Sequence, residues 1–189
     1  MRSQVCEAQS APVHWEMEHQ ALLSLTRNAL KQAFGEKVVE RPDIPDIDIG
    51  SLVEITGDGV LTLRVTLGSG GTYTNRVTFM RIEGDQPVVA RFKEKDGKVG
   101  PAFFDAGSSV LHTVGVGAIA GVGAIPDKHA IFARKTTLTI SDSGNPEKLD
   151  SWKRDHCVVA VYQWAAKTHT FDWSKTLSKT MTASCKRSK

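Results

Sequence analysis

The sequence predicts an α+β or mainly β domain, in which an N-terminal amphipathic helix packs on an antiparallel β-sandwich or barrel. One helical pattern near the N-terminus is followed, from Ser51 onward, by segments in which apolar and polar residues alternate. Turn residues separate these segments at hairpin spacing, which favours antiparallel strands over β-α-β units. With 189 residues the chain is long enough for one domain with a sizeable core.

The helix is predicted for His14 to Phe34, a segment that contains neither proline nor glycine. The following run, ERPDIPDIDIG at 40–50, has two prolines and three aspartates and predicts a linker. We therefore divide the chain into three parts: the helix and acidic linker at 1–50, the antiparallel β domain at 51–185 and a basic tail at 186–189. The helix has a broad apolar face formed by Leu22, Leu23, Leu25, Leu30 and Phe34.

Strands are predicted where the period of the pattern is two. The segments VLTLRVTL, TYTNRVTFM, PVVARFKE and AIFARKTTLTISD show it, and turns are predicted at 68–71, 83–86 and 96–98. The segment CVVAVYQWAA at 157–166 is apolar on both parities, which predicts a strand in the middle of a sheet.

The longest alternation lies near the C-terminus. From Thr168 to Ser184 every even position is Thr, Ser or Asp, which predicts a strand with one face in water. Lys175 and Lys179 then share the core-facing parity, and burying an unpaired ammonium is costly. Either the core-facing part ends near Trp173 and the rest is an edge or arm, or the lysines snorkel. We expect a basic arm that binds a partner through these two lysines.

The charge distribution limits the classes of partner. The net charge is +3, but six basic residues and one acid lie from Lys167 onward, so the preceding part is close to neutral. A nucleic-acid partner is therefore not expected, except through the basic C-terminal segment. The first residues have no apolar signal-peptide core, which predicts a cytosolic protein or an exported one written in mature form.

The three cysteines are Cys6, Cys157 and Cys185. Their odd number is not that of a disulfide framework, and no pair has zinc-finger spacing. Cys157 and Cys185 flank a predicted hairpin and are candidates for a disulfide in an oxidising compartment. Three reduced thiols are the alternative.

The glycine-rich segment VGVGAIAGVGAI at 114–125 allows three interpretations. Gly115, Gly117 and Ala120 follow the outline of a dinucleotide-binding fingerprint, but the glycines and proline that follow are unsuited to the required helix. The uncharged stretch from 110 to 126 could instead be a membrane-active segment, as in a pore-forming or fusion protein. The third interpretation, which we favour, is closely packed strands with glycine where backbones approach.

Aromatic residues are concentrated in the last quarter of the chain. Tyr162 and Trp164 share one parity, and Phe171 and Trp173 share another. If the two strands pair, the four rings can line one surface that binds a ligand or partner. Packing in the core is the alternative, and it is the more common use of such rings.

No motif in the sequence establishes catalysis. His156 and Cys157 are adjacent, and neighbours in a strand point to opposite faces, so they are a poor nucleophile pair. Asp43, Asp46 and Asp48 lack the spacing of a calcium loop. We expect no metal and no cofactor.

The expected function is therefore non-enzymatic binding or assembly. The chain would contact another protein or its own subunits, as an inhibitor, an immunity-type binder or a component of a multi-chain structure. Two alternatives stay open: a membrane-active protein that uses 110–126, and a small hydrolase that uses His129 or His156.

Overall fold

The computed structural model describes residues 11–39, 47–68, 74–111, 116–140 and 152–187. Within these ranges the helices are α1 (Ala11–Phe34), α2 (Glu36–Val39) and α3 (Lys175–Arg187), and a 3-10 turn covers Pro126–Lys128. The strands are β1 (Ile47–Glu54), β2 (Leu61–Leu67), β3 (Thr74–Glu83), β4 (Gln86–Val89), β5 (Arg91–Lys93), β6 (Val99–Pro101), β7 (Phe104–Leu111), β8 (Val116–Ile125), β9 (Ala130–Ile140), β10 (Trp152–Ala165) and β11 (Thr170–Trp173).

These strands form one sheet that curls into a half-barrel. Its hydrogen-bonded order is β1-β2-β3-β7-β8-β9-β10-β11-β5-β6, with β4 beside β3. Neighbouring strands are antiparallel, except that β5 and β11 run parallel. The predicted mainly antiparallel β fold is confirmed, whereas the described strands show one continuous sheet and no second layer of a sandwich.

The curl depends on the segment that contains β4 and β5. β4 pairs with β3, β5 pairs with β11, and only Ala90 separates the two short strands. The Ala90 N–H donates to the carbonyl oxygen of Phe79 at 2.8 Å, so the segment stays on β3 until it passes to β11. Distant parts of the sheet are thereby brought together around one inner face.

Aromatic side chains fill the inner face at this end. Phe92 lies at the centre of the group, with ring centroids 5.0 Å from Phe104, 5.4 Å from Tyr162 and 5.5 Å from Phe171. Phe79 is also buried in this cluster. We call these five residues the aromatic plug, because they close one end of the half-barrel.

Helix α1 packs on the outer face of the sheet. Leu30 is fully buried there in a cluster with Leu63 and Met80 of β2 and β3. Phe34 stacks on Phe103, with 3.9 Å between the ring centroids. The face of α1 that meets the sheet is thus part of the apolar face predicted from the sequence.

Strand β1 begins at Ile47, inside the range predicted as linker. The alternation of Ile47, Asp48 and Ile49 has the period of a strand, and both isoleucines pack in the outer cluster with Leu30. At the other end, Lys186 belongs to α3 rather than to a separate tail.

The prediction of one long strand to Ser184 was wrong after Trp173. β11 ends at Trp173 and α3 begins at Lys175. Ser174 caps the helix, because its hydroxyl accepts from the N–H of Leu177 at 3.5 Å. Leu177, Met181 and Cys185 recur every four residues and face the sheet, so one set of residues satisfies the period of two and the period of a helix.

The glycine-rich segment is a strand. β8 is hydrogen-bonded to β7 on one side and β9 on the other, so no helix follows Gly117 and the fingerprint interpretation is excluded. A Cβ on Gly123 would lie 2.8 Å from a ring carbon of Phe132, so a larger residue would require the Phe132 ring to move. His112, Thr113, Val114 and Gly115 lie outside the described residues. Among the described helices, none is long and apolar enough to cross a membrane.

Candidate functional site: a cavity on the inner face

Beyond the aromatic plug, the inner face of the sheet carries small side chains instead of aromatic rings. Directly opposite residues of antiparallel strands share a face, and the register places Ala133 of β9 opposite Ala160 of β10. Ala120 of β8 is opposite Lys135 of β9, on the same face. This part of the inner face has three alanines at positions comparable to those of the rings in the plug, so less side-chain volume projects from the sheet here.

The small side chains leave a cavity of about 550 Å³. Ala120, Ala133 and Ala160 form its floor, and Phe104 of the plug lines one end. Ligand-binding pockets have volumes of about 300–1,000 Å³ and a mainly apolar lining, so the cavity has the size and surface of such a site.

Polarity increases along the cavity in both central strands. On β9 the inner-face residues that line it are Ala133, Lys135 and Thr137. On β10 the residues opposite are Ala160, Val158 and His156. At about 3.3 Å per residue, Ala133 and Thr137 are about 13 Å apart along the strand. The cavity thus has an apolar end at the plug and a polar end near Thr137.

The polar end carries unopposed positive charge. Lys135 and His156 are exposed, and the structure shows no carboxylate bound to either among the described residues. Asp105 also lines the cavity, but it lies on β7, which β8 separates from β9, and no ion pair joins it to Lys135 or His156. Arg134 also lines the cavity, although it is adjacent to Lys135 in β9 and its side chain lies over Gly121.

A second polar cluster lies at the opposite end of β10. The buried Arg81 guanidinium donates to Asp58 at 2.8 Å and to Glu83 at 3.3 Å, and it stacks 4.2 Å from the centre of the Trp164 ring. Burial alone would raise the pKa of Asp58, but hydrogen bonds from Thr56 and Arg81 outweigh it and lower the pKa to about 2. The Arg81 guanidinium is paired with both carboxylates, and the cluster fastens β3 to the loop after β1.

The four aromatic residues predicted as a binding surface lie in or against the core. Tyr162 pairs with Trp173 and Trp164 with Phe171, so the four share a face as expected. Tyr162 and Phe171 are buried, and Trp164 and Trp173 are half-buried against them. Their surroundings are those of core residues, and in the part of the chain that the structure describes these four rings do not form an open binding surface.

Tyr162 also has a defined polar partner. Its hydroxyl donates to a carboxylate oxygen of Glu94 at 2.9 Å. Burial, followed by the hydrogen bond and the charge of Glu94, raises the pKa of Tyr162 well above its ordinary value. The phenol therefore stays protonated and holds β10 to the loop after β5.

Lys175 and Lys179 are exposed on α3, four residues apart and thus on one side of the helix. The structure does not bring them together with the aromatic group, which lies on the inner face. Their role as a partner contact stays a prediction, with a helix in place of the predicted strand arm.

Cys157 and Cys185 are joined by a disulfide, with 6.1 Å between their Cα atoms. The bond connects β10 to α3 and is buried in the cluster under that helix. Cys6 lies outside the described residues.

The two histidines predicted for a hydrolase are far apart. His129 precedes β9 in a left-handed conformation, and its Nδ1 lies 2.9 Å from the Ile55 carbonyl oxygen. His156 is opposite Thr137, which follows His129 by eight residues along β9. The two histidines are therefore about 26 Å apart. Because the Cys157 sulfur is in a disulfide, it does not provide a thiol beside His156.

Sequence reasoning missed the cavity, and of its lining residues it named only His156, as a catalytic candidate, and Ala120, as part of a fingerprint outline. One alanine in each of β8, β9 and β10 was the available signal, but alanine carries no chemistry that marks a site. No group of three or more His, Cys, Asp or Glu within the described ranges could hold a metal ion. Comparisons with protein-family models, curated proteins and solved structures found no match for this chain.

Proposed function

We propose that this chain is a non-enzymatic binding protein, and that the cavity on its inner face holds an apolar or amphipathic small molecule. The observation that carries the proposal is the contrast along the inner face. Five aromatic side chains fill one end, and the three alanines leave about 550 Å³ empty at the other. A concavity of this size with a mainly apolar surface has the dimensions of small-molecule sites, which supports an occupant.

The position of the cavity supports a preformed site. Its floor belongs to β8, β9 and β10, which are paired along most of their length. Helix α3 supports these strands from the outer face, where it packs on Cys157 and Val159. A rigid sheet gives up little conformational entropy on binding, which favours affinity.

The disulfide supports an oxidising compartment for the protein, because such bonds are rare where thiols are kept reduced. An exported binder fits this setting better than a cytosolic one. The predicted membrane-active and hydrolase functions have no comparable support, because β8 is a paired strand and the histidines are separated.

Filling the cavity should weaken binding. We expect Ala133→Phe to lower the affinity for dodecanoate at least about ten-fold, a loss of about 1.4 kcal/mol, because the ring occupies the space above the floor. Isothermal titration calorimetry below the critical micelle concentration measures the change. Because a buried Phe can cost about 1–3 kcal/mol of stability, Ala120→Leu serves as a milder second variant.

The matched control is Ala183→Phe, the same substitution at an exposed position of α3. It should leave dodecanoate affinity unchanged. Equal affinity of wild type, Ala133→Phe and Ala120→Leu, each folded by circular dichroism, would exclude this cavity as the site. No binding by the wild type would count against the proposal itself.

A further inference from the structure

The polar end of the cavity presents three hydrogen-bond donors on one small patch. Thr137 is directly opposite His156, and Lys135 is directly opposite Val158. Lys135 and His156 are therefore diagonal neighbours on the same face, about 7–8 Å apart, with the Thr137 hydroxyl beside them. An oxygen atom placed between these side chains is within reach of an ammonium, a hydroxyl and an imidazole.

The charge of this patch has one sign. The structure shows no carboxylate paired with Lys135 in the described part of the chain, and Asp105 is two strands away. Thr137 and His156 add hydrogen-bond donors and no negative charge. The patch is thus complementary to an anion and not to a cation or to a purely apolar group.

We propose that Lys135, Thr137 and His156 bind the anionic head group of an amphiphile whose hydrocarbon tail lies over Ala120, Ala133 and Ala160 toward Phe104. This inference rests on the proposed function, and it adds the orientation and the chemical class of the ligand. The shared chemistry is an oxyanion, a carboxylate or a phosphate, at one end of an apolar chain. The tail meets the closed, apolar end, and the head group stays at the exposed end, where its charge keeps part of its hydration.

The test compares dodecanoate, dodecyl phosphate and dodecan-1-ol, which have the same tail and differ in the head group. We expect both anions to bind the wild type at least about ten-fold more tightly than the alcohol at pH 7, because only they pair with the ammonium of Lys135. Lys135→Glu should remove this preference while the affinity for dodecan-1-ol changes by less than about two-fold. Lys135→Met, which keeps an apolar stem, gives the same comparison if Lys135→Glu folds poorly.

Lys179→Glu is the matched control, since it makes the same charge change at an exposed position of α3. It should leave the anion preference intact. Equal binding of the anions and the alcohol would overturn the head-group inference and leave the cavity proposal standing. Loss of preference in Lys179→Glu as large as in Lys135→Glu would also overturn it. If none of the three ligands binds, both the proposed function and this inference fail. A preference for one anion over the other would identify the head group as carboxylate or phosphate.

Discussion

Replacing Phe92 by alanine should destabilise the protein by about 3–5 kcal/mol, the range for buried aromatic residues truncated to alanine. Phe92 is 1 % exposed and contacts three other rings of the aromatic plug. The substitution leaves a void that the neighbouring strands cannot close, because β5 is held between β6 and β11. Urea unfolding followed by circular dichroism measures the free energy of unfolding.

Phe103→Ala is the matched control for this prediction. Phe103 is half-buried and stacks on Phe34 at the outer face, outside the plug. Its loss should cost clearly less than the loss of Phe92, because part of its surface already meets water. Equal costs, or a cost for Phe92→Ala below about 1 kcal/mol, would show that the plug is not the stabilising core.

Removing the disulfide should cost about 3–4 kcal/mol of stability. Cys157 and Cys185 are 28 residues apart, and the chain-entropy model gives this value for closing a loop of that length in the unfolded state. The double variant Cys157→Ala/Cys185→Ala should therefore unfold at a lower urea concentration than the oxidised wild type. Its sheet should remain, because the inner-face core does not include these residues.

Reductant provides the control for the disulfide prediction. It should shift the unfolding midpoint of the wild type toward that of the double variant and leave the double variant unchanged. A midpoint of the wild type that does not respond to reductant, at a concentration that alkylation shows to reduce both cysteines, would contradict a stabilising role for the bond.

The sequence was sufficient to predict the N-terminal helix and the mainly antiparallel β fold, because the alternation in β2, β3 and β9 is typical of strands with one face on a core. The end of the chain was ambiguous for a physical reason. Leu177, Met181 and Cys185 are four apart, which is a multiple of two as well as close to one helical turn. Ser174 is a preferred capping residue, and its position just before the first helical residue was the signal that favours a helix after it.

The candidate site was not predicted because it depends mainly on small side chains, which leave space above the sheet. Ala120, Ala133 and Ala160 belong to three different strands, and their common face depends on the register of β8, β9 and β10. Sequence alone does not give that register. The sequence analysis singled out aromatic residues instead. Two of them, Tyr162 and Phe171, belong to the aromatic plug at one end of the cavity.

The most direct test of binding at this cavity is an alanine-methyl NMR titration of the wild-type protein with dodecanoate below its critical micelle concentration. We predict saturable shifts of the methyl resonances of Ala120, Ala133 and Ala160, while the exposed Ala183 methyl on α3 does not move. Shifts that are absent at all three cavity alanines, or that are confined to residues outside the inner face, would contradict the assignment of the cavity as the binding site.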